Sequence, residues 1–223
     1  MNNPLIASRK HTMIALLIVA AITLLGIRQA SSLGAPHPEV SRVIPYLSLI
    51  ALQLLWVRFI NGGLKAYGHS LSELTGGRWT SARDVFQDLF FAAIGFFAAH
   101  TAAAVLTRAL GGTHPNTAFL LPHGAAESVL WVLVSVTAGV CEEIVFRDYL
   151  QRQLAVLTGS VTAGILLQAI AFGISHGYQG GAPMAVTGSY GLVLGILAWW
   201  RGNVRASALA HAATDIVGGL TRF

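Results

Sequence analysis

The chain has 223 residues, of which 54% are hydrophobic and only 10% are charged. A water-facing domain carries about 25% charged residues, so the composition excludes an ordinary soluble protein and points to the membrane. The net charge is +5, but the basic residues stand singly between apolar runs without interleaved aromatics, so nucleic acid is not an expected partner.

A spanning helix needs about 20 mostly apolar residues. In chain order the candidates are 12–30, 43–60, 86–108, 128–150, 158–177, 182–200 and 204–220. The expected fold is therefore all-α, a polytopic transmembrane bundle of about seven spanning helices (six to eight). The first segment follows Arg9 and Lys10 as a signal peptide would, but it has no clear small-residue cleavage site and reads as an anchor helix. "GAPHPEV" (34–40) and "GGTHPN" (111–116) are Gly/Pro turn clusters. The longest polar stretch, 61–84, has room for a short helix lying along the interface. A single cysteine, Cys141, excludes an internal disulfide and a multi-cysteine zinc site. No repeat or low-complexity tract marks a second domain. Residues 1–120 read as membrane helices of unclear role, and residues 121–223 as the part that carries the chemistry.

Alternate loops divide the Lys and Arg residues unequally. Arg9, Lys10, Arg58, Lys65, Arg78, Arg83, Arg147, Arg152, Arg201 and Arg205 fall on one side, and Arg28, Arg42, Arg108 and Arg222 on the other. The bias predicts a cytoplasmic N-terminus in a bacterial or archaeal cell membrane.

Ionisable residues inside apolar spans are costly and are functional-site hypotheses by default. Glu142, Glu143, Arg147, His176, His211 and Asp215 fall on three such segments. Glu143 and Arg147 are four apart, share a helical face and can pair. Glu142 is rotated by about 100° from Glu143, above a face of Ser135, Ala138 and Gly139 that permits close approach of another helix. Glu142 is thus the free carboxylate, and an unpaired buried carboxylate can act as a general base or acid near neutral pH. His176 ends an apolar run with Phe172 one turn earlier. His211 and Asp215 share a face, and Asp215 could orient His211 by accepting an N–H bond. The bland reading of each feature alone is a satisfied core histidine or a structural ion pair. Together they suggest water activation, metal binding or an ion relay. Asp88, His100, Cys141 and the remaining histidines carry less weight.

"EEIVFR" (142–147), "FGISH" (172–176) and "HAATD" (211–215) resemble the EExxxR, FxxxH and HxxxN/D motifs of the CPBP family, the CAAX prenyl endopeptidase and Abi-type intramembrane proteases. The resemblance covers about residues 125–220. It implies a helical bundle with an internal polar cavity and a peptidase acting near the terminus of a membrane-anchored or exported substrate. It also implies roles: Glu142 as the base that activates water, His176 holding that water, and His211 with Asp215 stabilising the oxyanion. Glu143, Arg147 and Phe172 would support the site. The prenyl-processing members commonly carry Asn where this chain has Asp215, and an ionised Asp cannot donate to an oxyanion. If a metal served, Glu142, His176 and His211 would be its zinc ligands. None of the motifs is HExxH, and the favoured reading is a metal-free, glutamate-dependent enzyme with no cofactor. The expected partners are a protein or peptide substrate and the lipid bilayer. The rival classes are a non-proteolytic immunity or interaction protein and a proton- or ion-coupled transporter.

Overall fold

A computed structural model describes residues 5–33, 41–112 and 117–221. The turn cluster at 34–40, most of the one at 111–116, His37, His114 and Arg222 lie outside the described residues. Those described form helices and connecting loops, with no strand among them.

Three helices precede the motif-bearing region on long apolar runs: α1 (Arg9–Leu33), α2 (Val43–Lys65) and α4 (Ala82–Ala109). Between α2 and α4, the polar stretch holds only a five-residue helix, α3 (Leu71–Thr75). Reciprocal caps start α3 at Ser70 and Glu73 and α4 at Ser81 and Asp84, satisfying amide groups that a helix leaves bare at its amino end. α5 (Gly124–Glu143) runs directly into a π-helical segment, Ile144–Leu150, and then into α6 (Gln151–Thr158). α7 (Val161–Ser175), α8 (Gly181–Arg201) and α9 (Arg205–Thr221) follow. Gly159 and Gly202 close α6 and α8 in the left-handed region, at φ of 68° and 69°, a conformation that glycine adopts without a Cβ clash.

Five stretches are long and apolar enough to cross a membrane, with α5 to α6 forming a single 35-residue stretch. The other two predicted spans, α7 and α9, have only 15 and 17 residues. At about 1.5 Å per residue they fall short of a hydrocarbon core of about 30 Å. α7 packs against α6 and α8, and α9 against α5 and α4. Phe86, Phe97, Leu17 and Ile44 point outward, as a lipid-facing surface requires.

Buried polar groups on the core helices find backbone partners, because an unpaired polar group in an apolar interior is expensive. Gln151 Nε2 donates to the Gly195 carbonyl at 3.0 Å and Gln168 Nε2 to that of Gly191 at 2.8 Å. The ring of His11 ties α1 to its neighbours: Nε2 donates to the Phe59 carbonyl at 3.1 Å, and Nδ1 accepts from the Tyr149 hydroxyl at 2.8 Å. At the Arg- and Lys-rich end of the bundle, Asp88 pairs with Arg201 at 3.0 Å and Arg205 at 2.9 Å and accepts from Trp79 Nε1 at 2.8 Å. Asp88 therefore pins α4 to the α8–α9 corner and contacts none of the motif residues.

Candidate active site

The site forms where α9 lies tightly against α5. A Cβ on Gly139 would sit 2.7 Å from Ala212 N and 2.8 Å from Ala208 O, so only glycine admits the α9 backbone here. One turn further along α5, this contact sets both glutamates beside His211. The π-helical segment, a form often found at functional sites, begins at the next residue.

Glu143 is fully buried, and its Oε1 has two partners. Arg147 Nη1 meets it at 3.0 Å and His211 Nδ1 donates to it at 3.0 Å. The i,i+4 pairing of Glu143 with Arg147 is as the spacing predicts. The orientation of His211 is not: Glu143, rather than Asp215, accepts its Nδ1–H. Asp215 Oδ2 instead lies 3.7 Å from Nε2, on the other side of the ring. The reason is helical rotation, since the i,i+4 spacing that aligns Asp215 with His211 along α9 points both toward the cavity, while Nδ1 turns back toward α5. Glu143 therefore positions the imidazole as well as neutralising the arginine.

Glu142 Oε2 lies 4.0 Å from His211 Nε2 and makes no hydrogen bond among the described residues. Two carboxylates, Glu142 and Asp215, thus flank Nε2 at distances too long for direct hydrogen bonds and suited to a bridging water. His176 contributes a second ring nitrogen. Its Nδ1 lies 2.9 Å from the Phe172 carbonyl; a carbonyl only accepts, so Nδ1 carries the proton and Nε2 presents its lone pair.

Phe172 is the hub of this cluster. Its ring lies 4.1 Å from the Arg147 guanidinium carbon, 4.7 Å from the His176 ring and 5.7 Å, edge to face, from His211. The aromatic face covers a cation that is buried away from water. A Cβ on Gly173 would sit 2.8 Å from Met184 O, so α8 comes close behind α7 and closes the far side.

A cavity of about 490 Å³ opens on these groups, lined in part by Phe172, His176, His211 and Asp215. Glu142 reaches this group of side chains from the Nε2 side of His211 without itself lining the cavity. The opposite wall comes from α4 and α8 and carries His100 and Tyr190. His100 Nδ1 donates to the Phe96 carbonyl at 2.8 Å, leaving Nε2 as an acceptor, and its ring meets Tyr190 edge-on at 5.3 Å. Tyr190 shows no hydrogen bond among the described residues. Sequence reasoning put little weight on His100 and missed Tyr190. The usable signal was a histidine in the middle of an apolar span.

Among the described residues, no three His, Cys, Asp or Glu side chains are disposed to hold a metal ion, with His211 Nδ1 already committed to Glu143.

Residues 124–217 match the model of the Rce1-like family, the type II CAAX prenyl endopeptidases. This region belongs to the CAAX protease family. The match contains Glu142, Glu143, Arg147, Phe172, His176, His211 and Asp215, and leaves α1 to α4 outside it. No curated protein and no solved structure matches the chain. With its long apolar helices, the family makes this an integral membrane protein and a peptidase whose substrate is a peptide at the membrane.

Proposed function

We propose that the chain is a glutamate-dependent intramembrane endopeptidase that cuts a membrane-anchored or exported protein near one terminus. The observation that carries this reading is the Glu142 carboxylate, whose Oε2 lies 4.0 Å from His211 Nε2 with no hydrogen bond among the described residues, beside a cavity large enough for a peptide segment.

Glu142 takes a proton from a water molecule whose other hydrogen bonds go to His176 Nε2. The resulting hydroxide attacks the scissile carbonyl carbon, and the carbonyl π electrons move onto oxygen. His211 in its protonated form donates from Nε2 to that oxygen, while Glu143 at Nδ1 fixes the ring. Charge stabilisation of this kind is usually the largest single contribution to acyl-transfer catalysis. The intermediate collapses with loss of the C–N bond, and Glu142 returns the proton to the leaving nitrogen. Asp215 acts through His211, as a second carboxylate near Nε2. The Tyr190 hydroxyl on the opposite wall is available as a further donor. No metal enters the scheme.

The position of the cavity favours an exported substrate. Thr107 near the end of α4, Gln179 in the α7–α8 connection and Pro183 at the start of α8 line it. These lie toward the bundle end opposite Arg9, Lys65, Arg201 and Arg205. By the Lys/Arg bias, that end is extracytoplasmic.

The test is a comparison of protein termini in membrane and secreted fractions of the host, between wild type and Glu142→Gln at matched protein levels. A substrate that stays full-length only in the variant supports the protease and names its target. Identical termini in both strains overturn it in favour of an interaction or immunity role.

A further inference from the structure

A basic cleft lies apart from the motif residues. A cavity of about 780 Å³ lies at the Arg- and Lys-rich end of the bundle, where α1 begins, α6 ends, α7 begins and α8 ends. Arg9, Arg152 and His69 line it, and no Asp or Glu does. Arg9 has no ion pair among the described residues. Arg152 is held in place by Asp148 at 3.0 Å and by the carbonyls of Leu74 and Gly202, both at 3.2 Å from Nη2. Its Nη1 meets no protein acceptor among the described residues. The amino ends of α1 and α7 also open on the cleft, and the positive end of a helix favours an anion.

The mouth of the cleft is apolar. Leu157, Val161 and Trp199 line it while keeping 37%, 45% and 56% of their surface exposed. A tryptophan beside an arginine at the end of a span is the pattern of a membrane–water interface. Two cations inside and an apolar lip outside fit a ligand with an anionic head and a hydrocarbon tail.

We propose that this cleft binds the phosphodiester of an anionic phospholipid, held between Arg9 and Arg152, with the acyl chains lying along Leu157, Val161 and Trp199. The site is separate from the peptidase centre, and its existence does not depend on the proposed activity. Basic pockets between helices on the cytoplasmic side are suited to such headgroups.

Native mass spectrometry of the full chain released from detergent micelles tests it, with equimolar phosphatidylglycerol and phosphatidylcholine as probes. A cation near the membrane surface contributes about 1 kcal/mol of attraction, or about fivefold in affinity. The expected result is at least about fivefold greater retention of phosphatidylglycerol. Arg9→Gln should remove most of that preference and Arg9→Lys should keep it. Arg9 is exposed, so neither change should prevent folding, and the wild-type lipid ratio is decisive without them. Equal retention of the two lipids overturns the proposal, as does a preference that Arg9→Gln leaves intact. Inorganic phosphate that displaces the lipid at equal concentration would assign the cleft to the free anion instead, and so overturn the lipid assignment.

Discussion

His211 Nδ1 and Glu143 Oε1 lie 3.0 Å apart, and the same carboxylate oxygen faces Arg147 Nη1 at 3.0 Å. One buried carboxylate thus carries two duties on two helices: it offsets the arginine within its own helix and fixes the imidazole of another. Glu143→Gln should therefore fail twice. Breaking one side of a buried ion pair costs about 3–5 kcal/mol, so the thermal midpoint of the purified protein should fall sharply. The fraction that remains folded should also be less active, because the His211 ring is no longer held by charge. A Glu143→Gln protein with wild-type thermal stability would show that the pair is not compensated as described.

Glu142→Gln should behave in the opposite way. Glu142 Oε2 makes no hydrogen bond among the described residues, so neutralising it removes a buried charge without a hydrogen-bonded partner at little or no structural cost. The thermal midpoint should stay level or rise, while cleavage falls by about 10²–10⁴-fold, the range for loss of a general base. The two adjacent glutamates are thereby separated by measuring melting and turnover on the same preparations. Equal loss of stability in both variants would contradict this division of roles.

Some of this was readable in advance and some was not. The apolar runs located every long helix because lipid demands long uninterrupted apolar stretches. The spacing of Glu143 and Arg147 gave their pairing, since i,i+4 neighbours touch on any helix. Ser135, Ala138 and Gly139 indicated a close helix contact, and the α9 backbone lies against Gly139. The partner of His211 was not readable. Spacing favoured Asp215 on the same helix, whereas the bond goes across to Glu143 and depends on how α5 and α9 are rotated. The π-helical segment was equally hidden, because one extra residue per turn leaves no mark on an apolar run. His100 was underweighted because its cavity role comes from α4, which lies outside the motif-bearing region.

Gly139→Leu tests the geometry without touching a polar group. Its added carbons would meet the α9 backbone, where a Cβ alone already approaches to 2.7 Å. Overpacking of this kind costs about 1–3 kcal/mol. The stability loss should be modest and the loss of cleavage large, because α9 carries His211 away from Glu143. A Gly139→Leu enzyme with full activity would mean that the close contact does not set the site.

Asp88→Asn provides the converse control. Asp88 is buried between Arg201 and Arg205, and removing its charge leaves both arginines uncompensated. The expected stability loss is about 3–5 kcal/mol, seen as a lower thermal midpoint. Cleavage per folded molecule should be unchanged, because the ion pairs involve none of the motif residues. A selective loss of turnover would show that the two ends are coupled.

The side from which the cavity is entered is open to a labelling experiment. Gln179 lines the cavity, and its Oε1 accepts from Thr187 Oγ1 at 2.9 Å. Cys141 is the sole cysteine and is buried, so Gln179→Cys introduces one accessible thiol without a competing one. A membrane-impermeant maleimide applied to intact cells should label that thiol, because the Lys/Arg bias puts the Gln179 end outside. Inverted vesicles should label weakly. The reverse pattern would turn the bundle over, direct the cavity toward cytoplasmic substrates, and place the Arg9–Arg152 cleft in the outer leaflet.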